Sequence, residues 1–199
     1  VAPRKLENGA RWTAHTPWNG DFGDAQFSDP RPGWPFAISK GILRITARRD
    51  EKARWRSGLI AAAEGSGAGH GIQYGYFEAR MKFPEGPGTW PAFWLMSLQP
   101  ASQLPKIEID AVEYYGHMTD KYFATAHVWY GGKDEHLTRH DGKKLPVPAG
   151  SLTSGFHRYG VRVDPQQITY FLDGEAMWRQ PTPKEHQAPL YPLVNLALG

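Results

Sequence analysis

Apolar residues in this chain come in short runs that mostly alternate with polar ones, the two-residue period of strands with one buried face. The pattern predicts strands at roughly 42–48, 56–63, 73–83, 90–98, 107–115, 121–130 and 157–163. A hairpin follows over 167–179, turning at Asp173-Gly174, a pair that favours left-handed backbone. A last apolar run, Tyr191 to Leu198, ends next to Gly199. The opening thirty-odd residues and the stretches 64–71 and 131–155 read as loops. No segment sustains a helical apolar period beyond two turns. The expected fold is all-β, a sandwich of two antiparallel sheets of the jelly-roll, concanavalin-like kind.

Composition narrows the setting. With 199 residues and no internal repeat, a single domain spanning 1–199 is expected, large enough to bury a core unaided. The absence of cysteine excludes disulfides and thiolate-held metal. A net charge of +3 is too weak to argue for nucleic acid and suits a neutral or acidic polymer. No apolar run approaches a membrane span, and the start, Val-Ala-Pro-Arg, lacks a signal segment and is compatible with a mature end.

The chemistry concentrates in Ile107-Glu-Ile-Asp-Ala-Val-Glu113. Alternation aims Glu108 and Asp110 at one face. Glu113, an odd number of positions from Glu108, would face away unless one extra residue, at Ala111 or Val112, forms a β-bulge. Three acids on one face repel one another and cost several kcal/mol to bury unpaired. Such an arrangement points to an active site, with acids paired to Arg or Lys on a solvated edge as the rival reading. If the acidic strand is central and its outer face concave, aromatic residues that stack on sugar should line it. Trp12, Trp18, Trp34, Trp90, Trp94, Trp129 and Trp178 supply them, and Trp90 and Trp94, one strand before the acids, are the first candidates.

Gly88-Thr-Trp-Pro-Ala-Phe-Trp-Leu-Met-Ser97, followed by Glu108-Ile-Asp-Ala-Val-Glu113, resembles glycoside hydrolase family 16. The acids match the bulged form of its laminarinase-like and agarase-like branch rather than the lichenase form. Gly75-Tyr-Phe-Glu-Ala-Arg-Met-Lys82, Ala126-His-Val-Trp129, Phe156-His-Arg-Tyr-Gly160, Tyr170-Phe-Leu-Asp-Gly174 and Leu193-Val-Asn-Leu-Ala-Leu-Gly199 are similar to further family segments in the same order.

The resemblance implies a retaining endo-hydrolase of a β-linked polysaccharide, most plainly a β-1,3(4)-glucan. Glu108 would be the nucleophile, Glu113 the acid/base, and Asp110 the residue that tunes them. Their backbones lie roughly 13 Å apart over four effective steps, a gap that two long side chains can close toward the ~5–5.5 Å of a retaining pair. His127, Trp129, Arg80, Asn195, Trp18 and Asn19 are the implied substrate contacts. No cofactor is implied for the chemistry, though many members hold a structural calcium with both chain ends. A secreted or periplasmic monomer acting on polysaccharide, without nucleic acid or membrane, is the expectation.

Two departures stand out. Lys106-Ile107 precedes Glu108 where the family usually has Gly. The family also continues through a Gly-Trp loop to one more strand beyond the position of Gly199, so an exposed sheet edge is expected. Arg44, Arg48, Arg49, Arg54 and Arg56 keep an acidic exopolysaccharide or a sulfated galactan open as substrate, although solvent-facing strand positions explain most of them. A transglycosylase, and a non-catalytic carbohydrate-binding sandwich, are the other readings.

Overall fold

The computed structural model describes residues 12–18, 20–64, 68–100 and 102–199. Its strands are β1 (Thr13–Ala14), β2 (Gln26–Phe27), β3 (Phe36–Ser39), β4 (Ile42–Ile45), β5 (Arg48–Arg49), β6 (Trp55–Ala61) and β7 (Gly75–Met81). These are followed by β8 (Thr89–Ser97), β9 (Lys106–Glu113), β10 (Lys121–Trp129), β11 (Arg139–Pro146) and β12 (His157–Val163). The hairpin β13 (Gln167–Leu172) and β14 (Glu175–Pro181) precedes β15 (Leu190–Leu198).

The larger sheet runs β1-β6-β15-β8-β9-β10-β11, with β2 and β5 also pairing β6; the smaller runs β14-β13-β12-β7. The core lies between them. Phe93, Leu95, Ile107, Ile109 and Val128 from the larger sheet meet Tyr159, Val161, Ile168 and Tyr170 from the smaller. Phe83 is stacked between Tyr114 and Tyr159, with centroids 5.2 and 4.8 Å away. Each such ring stabilises the sandwich by roughly 2–3 kcal/mol through burial. The turn at Asp173-Gly174 has positive φ at both residues, as the hairpin expectation required.

The chain-end run is a central strand: β15 lies between β6 and β8. Among the described residues β7 pairs only with β12, and the β3–β4 hairpin pairs with neither sheet, so the smaller sheet has an open edge at β7. The loop expectations fail in places, for β1 and β2 lie within the opening thirty residues. Residues 139–146, read as loop, form β11, hydrogen-bonded to β10 along its length. Its sequence, Arg-His-Asp-Gly-Lys-Lys-Leu-Pro, buries only Leu145, so no alternation marked it. The segment 42–48 is also broken, into β4 and β5, which belong to different sheets.

Candidate active site

β9 lies inside the larger sheet, between β8 and β10. Ile107, Ile109 and Val112 turn into the core, while Glu108, Asp110 and Glu113 share the opposite face. The register shows how. Glu108 lies opposite Met96 and His127, Asp110 opposite Trp94 and Thr125, and Glu113 opposite Ala92 and Phe123. Against β8, Val112 pairs with Phe93 and Asp110 with Trp94, so Ala111 is the inserted residue. The bulge places three carboxylates on one face where a regular strand could place two.

Each glutamate is held by a tryptophan from a flanking strand. Trp129 of β10 donates its indole N–H to Glu108 Oε2 at 3.1 Å. Trp90 of β8 donates to Glu113 Oε1 at 3.1 Å, and the Tyr115 hydroxyl donates to the same oxygen at 3.3 Å. His127 Nε2 lies 3.0 Å from Asp110 Oδ2 and 3.9 Å from Glu108 Oε1. Its ring lies nearly parallel to that of Trp129, with centroids 5.1 Å apart.

Burial dominates the electrostatics. It pushes Glu108 up to about 8, aided by the Asp110 charge and opposed by His127 and by the Trp129 hydrogen bond. Burial also raises Glu113, against the pull of Trp90, His127 and Tyr115. Burial, and then the Glu113 charge beside it, raise Asp110 well above the ordinary carboxylate range. The three cannot all ionise, so the cluster shares protons as a unit. Indole N–H groups are aimed at both glutamates, while the nearest side-chain nitrogen to Asp110 is His127 Nε2, 3.0 Å from its Oδ2. Burial and the Glu113 charge favour a proton on Asp110, and with it there the Asp110 charge that opposes ionised Glu108 is removed.

The other expected contacts divide. Trp90 and Trp129 lie on the acidic face and are half-buried. Trp94 is on the same face but is buried beneath Trp18 and Phe22, whose centroids lie 6.0 Å from its own, so it forms floor rather than a sugar platform. Asn195 is likewise buried. Its Oδ1 accepts from Trp94 Nε1 at 2.7 Å and its amide donates to the Trp90 carbonyl at 3.4 Å, so it braces the tryptophans instead of reaching the surface.

Arg80 is a correction. On β7 the core takes Phe77, Ala79 and Met81, so parity sends Arg80 out of the smaller sheet, away from the acids, where its guanidinium lies 4.3 Å over Phe156. Asn19 lies outside the described residues. Trp34 and Trp178 pack away from the acids, Trp34 under Arg48 and Trp178 on Tyr170.

Two residues near the acids went unnoticed in the sequence. Tyr115 shares the parity of Glu113, two positions on, a signal that was available. His140, whose Nδ1 is 3.4 Å from His127 Nδ1, sits on β11 and was hidden with that strand. For a metal, the described residues offer one cluster of three His/Asp/Glu atoms, from Glu108, Asp110 and His127, and these are the acidic site itself. The structural calcium held by many family members would draw on chain ends that include residues 1–11, which lie outside the described residues.

The family model for glycosyl hydrolases family 16 matches residues 43–198. The chain belongs to that family. It is 32% identical over 176 residues to the endo-1,3-1,4-beta-glycanase EglC of Rhizobium meliloti, covering 83% of this chain and 34% of the relative. With the endo-1,3-1,4-beta-glycanase ExsH of the same organism it shares 31% identity over 98% of this chain and 44% of the relative. The chain thus spans less than half the length of these two curated relatives. The solved family 16 protein of the Bacteroides ovatus mixed linkage glucan PUL superposes with a TM-score of 0.76 at 24% identity, over 94% of this chain and 81% of that one, and shares the fold.

Proposed function

We propose that this family 16 domain is a retaining endo-β-glycanase acting on a β-1,3(4)-linked glucan, with Glu108 as nucleophile and Glu113 as acid/base. The bulge at Ala111 is the observation that carries the reading, because it turns Glu113 onto the face of Glu108. In the first step Glu108 attacks the anomeric carbon while Glu113 gives its proton to the departing glycosidic oxygen. In the second, Glu113 takes a proton from water, which attacks the same carbon and releases Glu108. Asp110, holding a proton between them, lowers the repulsion each glutamate feels. Two carboxylates supply nucleophile and proton, so the chemistry calls for no cofactor. The names of EglC and ExsH support the linkage class. An endo-acting enzyme on a polysaccharide meets its substrate outside the cytoplasm, so we propose a secreted or periplasmic location.

Reducing-end release from a mixed-linkage β-glucan tests the reading, with Glu108→Gln as the control. Proton NMR of the first product is expected to show the β-anomer. An initial α-anomer, or activity that survives Glu108→Gln, would overturn the mechanism. Binding without turnover by the intact protein would instead identify a carbohydrate-binding sandwich.

A further inference from the structure

One ring nitrogen of His127 serves the acidic face, and the other does not. Nε2 lies 3.0 Å from Asp110 Oδ2, while Nδ1 points away from the acids, toward β11. There the register sets His140 directly across from His127, with the two Nδ1 atoms 3.4 Å apart. That is long for a hydrogen bond. Two imidazole nitrogens on one tetrahedral metal, each bonded at about 2.0–2.1 Å, stand roughly 3.3–3.4 Å apart. The observed separation suits two ligands of one ion better than a donor and its acceptor.

The pair is held as a pair of ligands needs to be. The His127 ring lies against the Trp129 indole at an interplanar angle of 6°, which sets its plane. Its far nitrogen meets Asp110, itself buried. A histidine that binds a metal through one nitrogen almost always gives the N–H of the other to a carboxylate or a carbonyl. Asp110 and His127 already stand in that relation. His140 is exposed on the last strand of the larger sheet, so an ion can reach the pair from solvent and water can complete its coordination.

The surrounding charge favours a cation. Glu108, 3.9 Å from His127 Nε2, and Asp110 face the pair from β9. Along β11, Arg139 and Asp141 alternate onto the other face, and Arg139 is paired there with Glu185. Gly142 brings no charge, and Lys144, the next residue on the pair's own face, lies over Phe123. Imidazole ligands suit zinc, copper or nickel, whereas calcium and magnesium call for oxygen.

We propose that His127 and His140 form a binding site for a divalent transition-metal ion of the zinc or copper class, and that an ion held there slows turnover. The second half rests on the endo-glycanase reading. A metal on Nδ1 leaves the remaining ring proton of His127 on Nε2, aimed at Asp110. That favours ionised Asp110 and returns its charge to the side of Glu108, so kcat is the quantity that falls.

Zinc alone, titrated into the metal-free native protein by calorimetry, is expected to occupy one saturable site in the micromolar range. His140→Ala should weaken that site by at least ~10-fold, while Glu108→Gln should leave it within about twofold. Loss in Glu108→Gln with retention in His140→Ala would put the ion on the acidic cluster and overturn the proposal. Absence of saturable binding to the native protein would overturn it as well. Copper gives a reading that needs no variant. Electron paramagnetic resonance of the native protein with one equivalent of Cu²⁺ should show two coordinated nitrogens, and a single nitrogen or none would overturn the pair.

Kinetics form a separate arm. Saturating zinc should lower kcat on mixed-linkage glucan several-fold, and EDTA should restore it. His140→Ala, measured against its own metal-free rate, should need at least ~10-fold more zinc for the same effect. Equal inhibition of the two proteins would overturn the second half of the proposal. If neither protein turns over any glucan, the endo-glycanase reading fails, and calorimetry and resonance still decide the metal site.

Discussion

The indole N–H of Trp129 reaches across one strand spacing to donate to Glu108 Oε2 at 3.1 Å. A donor aimed at a carboxylate favours its ionised form, and a nucleophile must be ionised to attack. Trp90 makes the equivalent bond to Glu113, where the same preference works against holding a proton. The two indoles thus act on opposite limbs of the activity profile.

Trp129→Phe is expected to move the acidic limb of kcat/KM upward by about one pH unit, the order of one hydrogen bond to a charged group. Trp90→Phe should move the alkaline limb upward instead, because Glu113 then keeps its proton longer. Paired pH–rate profiles check this. Exchange of the two effects would reverse the roles assigned to the glutamates.

Deleting Ala111 restores a regular strand and turns Glu113 away from Glu108. Activity is expected to fall by at least ~100-fold, the low end for losing a general acid. Circular dichroism and a melting curve on the same sample separate this from unfolding. A folded deletion variant with near-native turnover would show that Glu113 is not the proton donor.

The contribution of the acidic cluster to stability should fall as pH rises. Glu108 moves from an ordinary 4.5 to about 8 in the folded chain, so below 4.5 it is neutral in both states and its contribution is complete. Between those values the unfolded chain has released a proton that the folded one retains, and stability is lost as pH climbs through the window. Asp110 and Glu113, also raised by burial, act in the same direction. Urea denaturation of Glu108→Gln against the native protein should show a gain at pH 8 on the order of 1–3 kcal/mol, and little difference at pH 4. An equal difference at both pH values would contradict the assigned shift.

Asn195→Ala strands the buried indole N–H of Trp94. The expected cost is about 1–3 kcal/mol in thermal or urea unfolding. Turnover by the fraction that remains folded should show a larger change in KM than in kcat, since the floor under the substrate loosens while the carboxylates stay in place. A change confined to kcat would place Asn195 in the chemistry.

Arg80→Ala should leave kcat and KM within about twofold and cost no more than ~1 kcal/mol, its contact with Phe156 being a half-exposed stack. A tenfold loss of activity would mean that the outer face of the smaller sheet takes part in catalysis.

The central strands were legible because burial on one side imprints alternation, and the bulge because odd spacing among three acids is costly to explain otherwise. β11 was illegible for the converse reason: an edge strand with solvent on both faces has nothing to alternate. His140 went with it. The covering of Trp94 by Trp18 and Phe22 depends on a loop folding back over the sheet, which no local pattern encodes. Arg80 was readable in principle, since Phe77, Ala79 and Met81 had already claimed the core side of β7.

The polarity that concealed β11 has a use of its own. Among the described residues β11 ends the larger sheet, with no strand beyond it. A free strand edge invites another chain to add itself, and Lys143 and Lys144 along this one place positive charge where an identical edge would have to dock. Two such copies repel before their backbones can pair. The strand that carries His140 toward His127 is also the one that guards the sheet against growing from molecule to molecule.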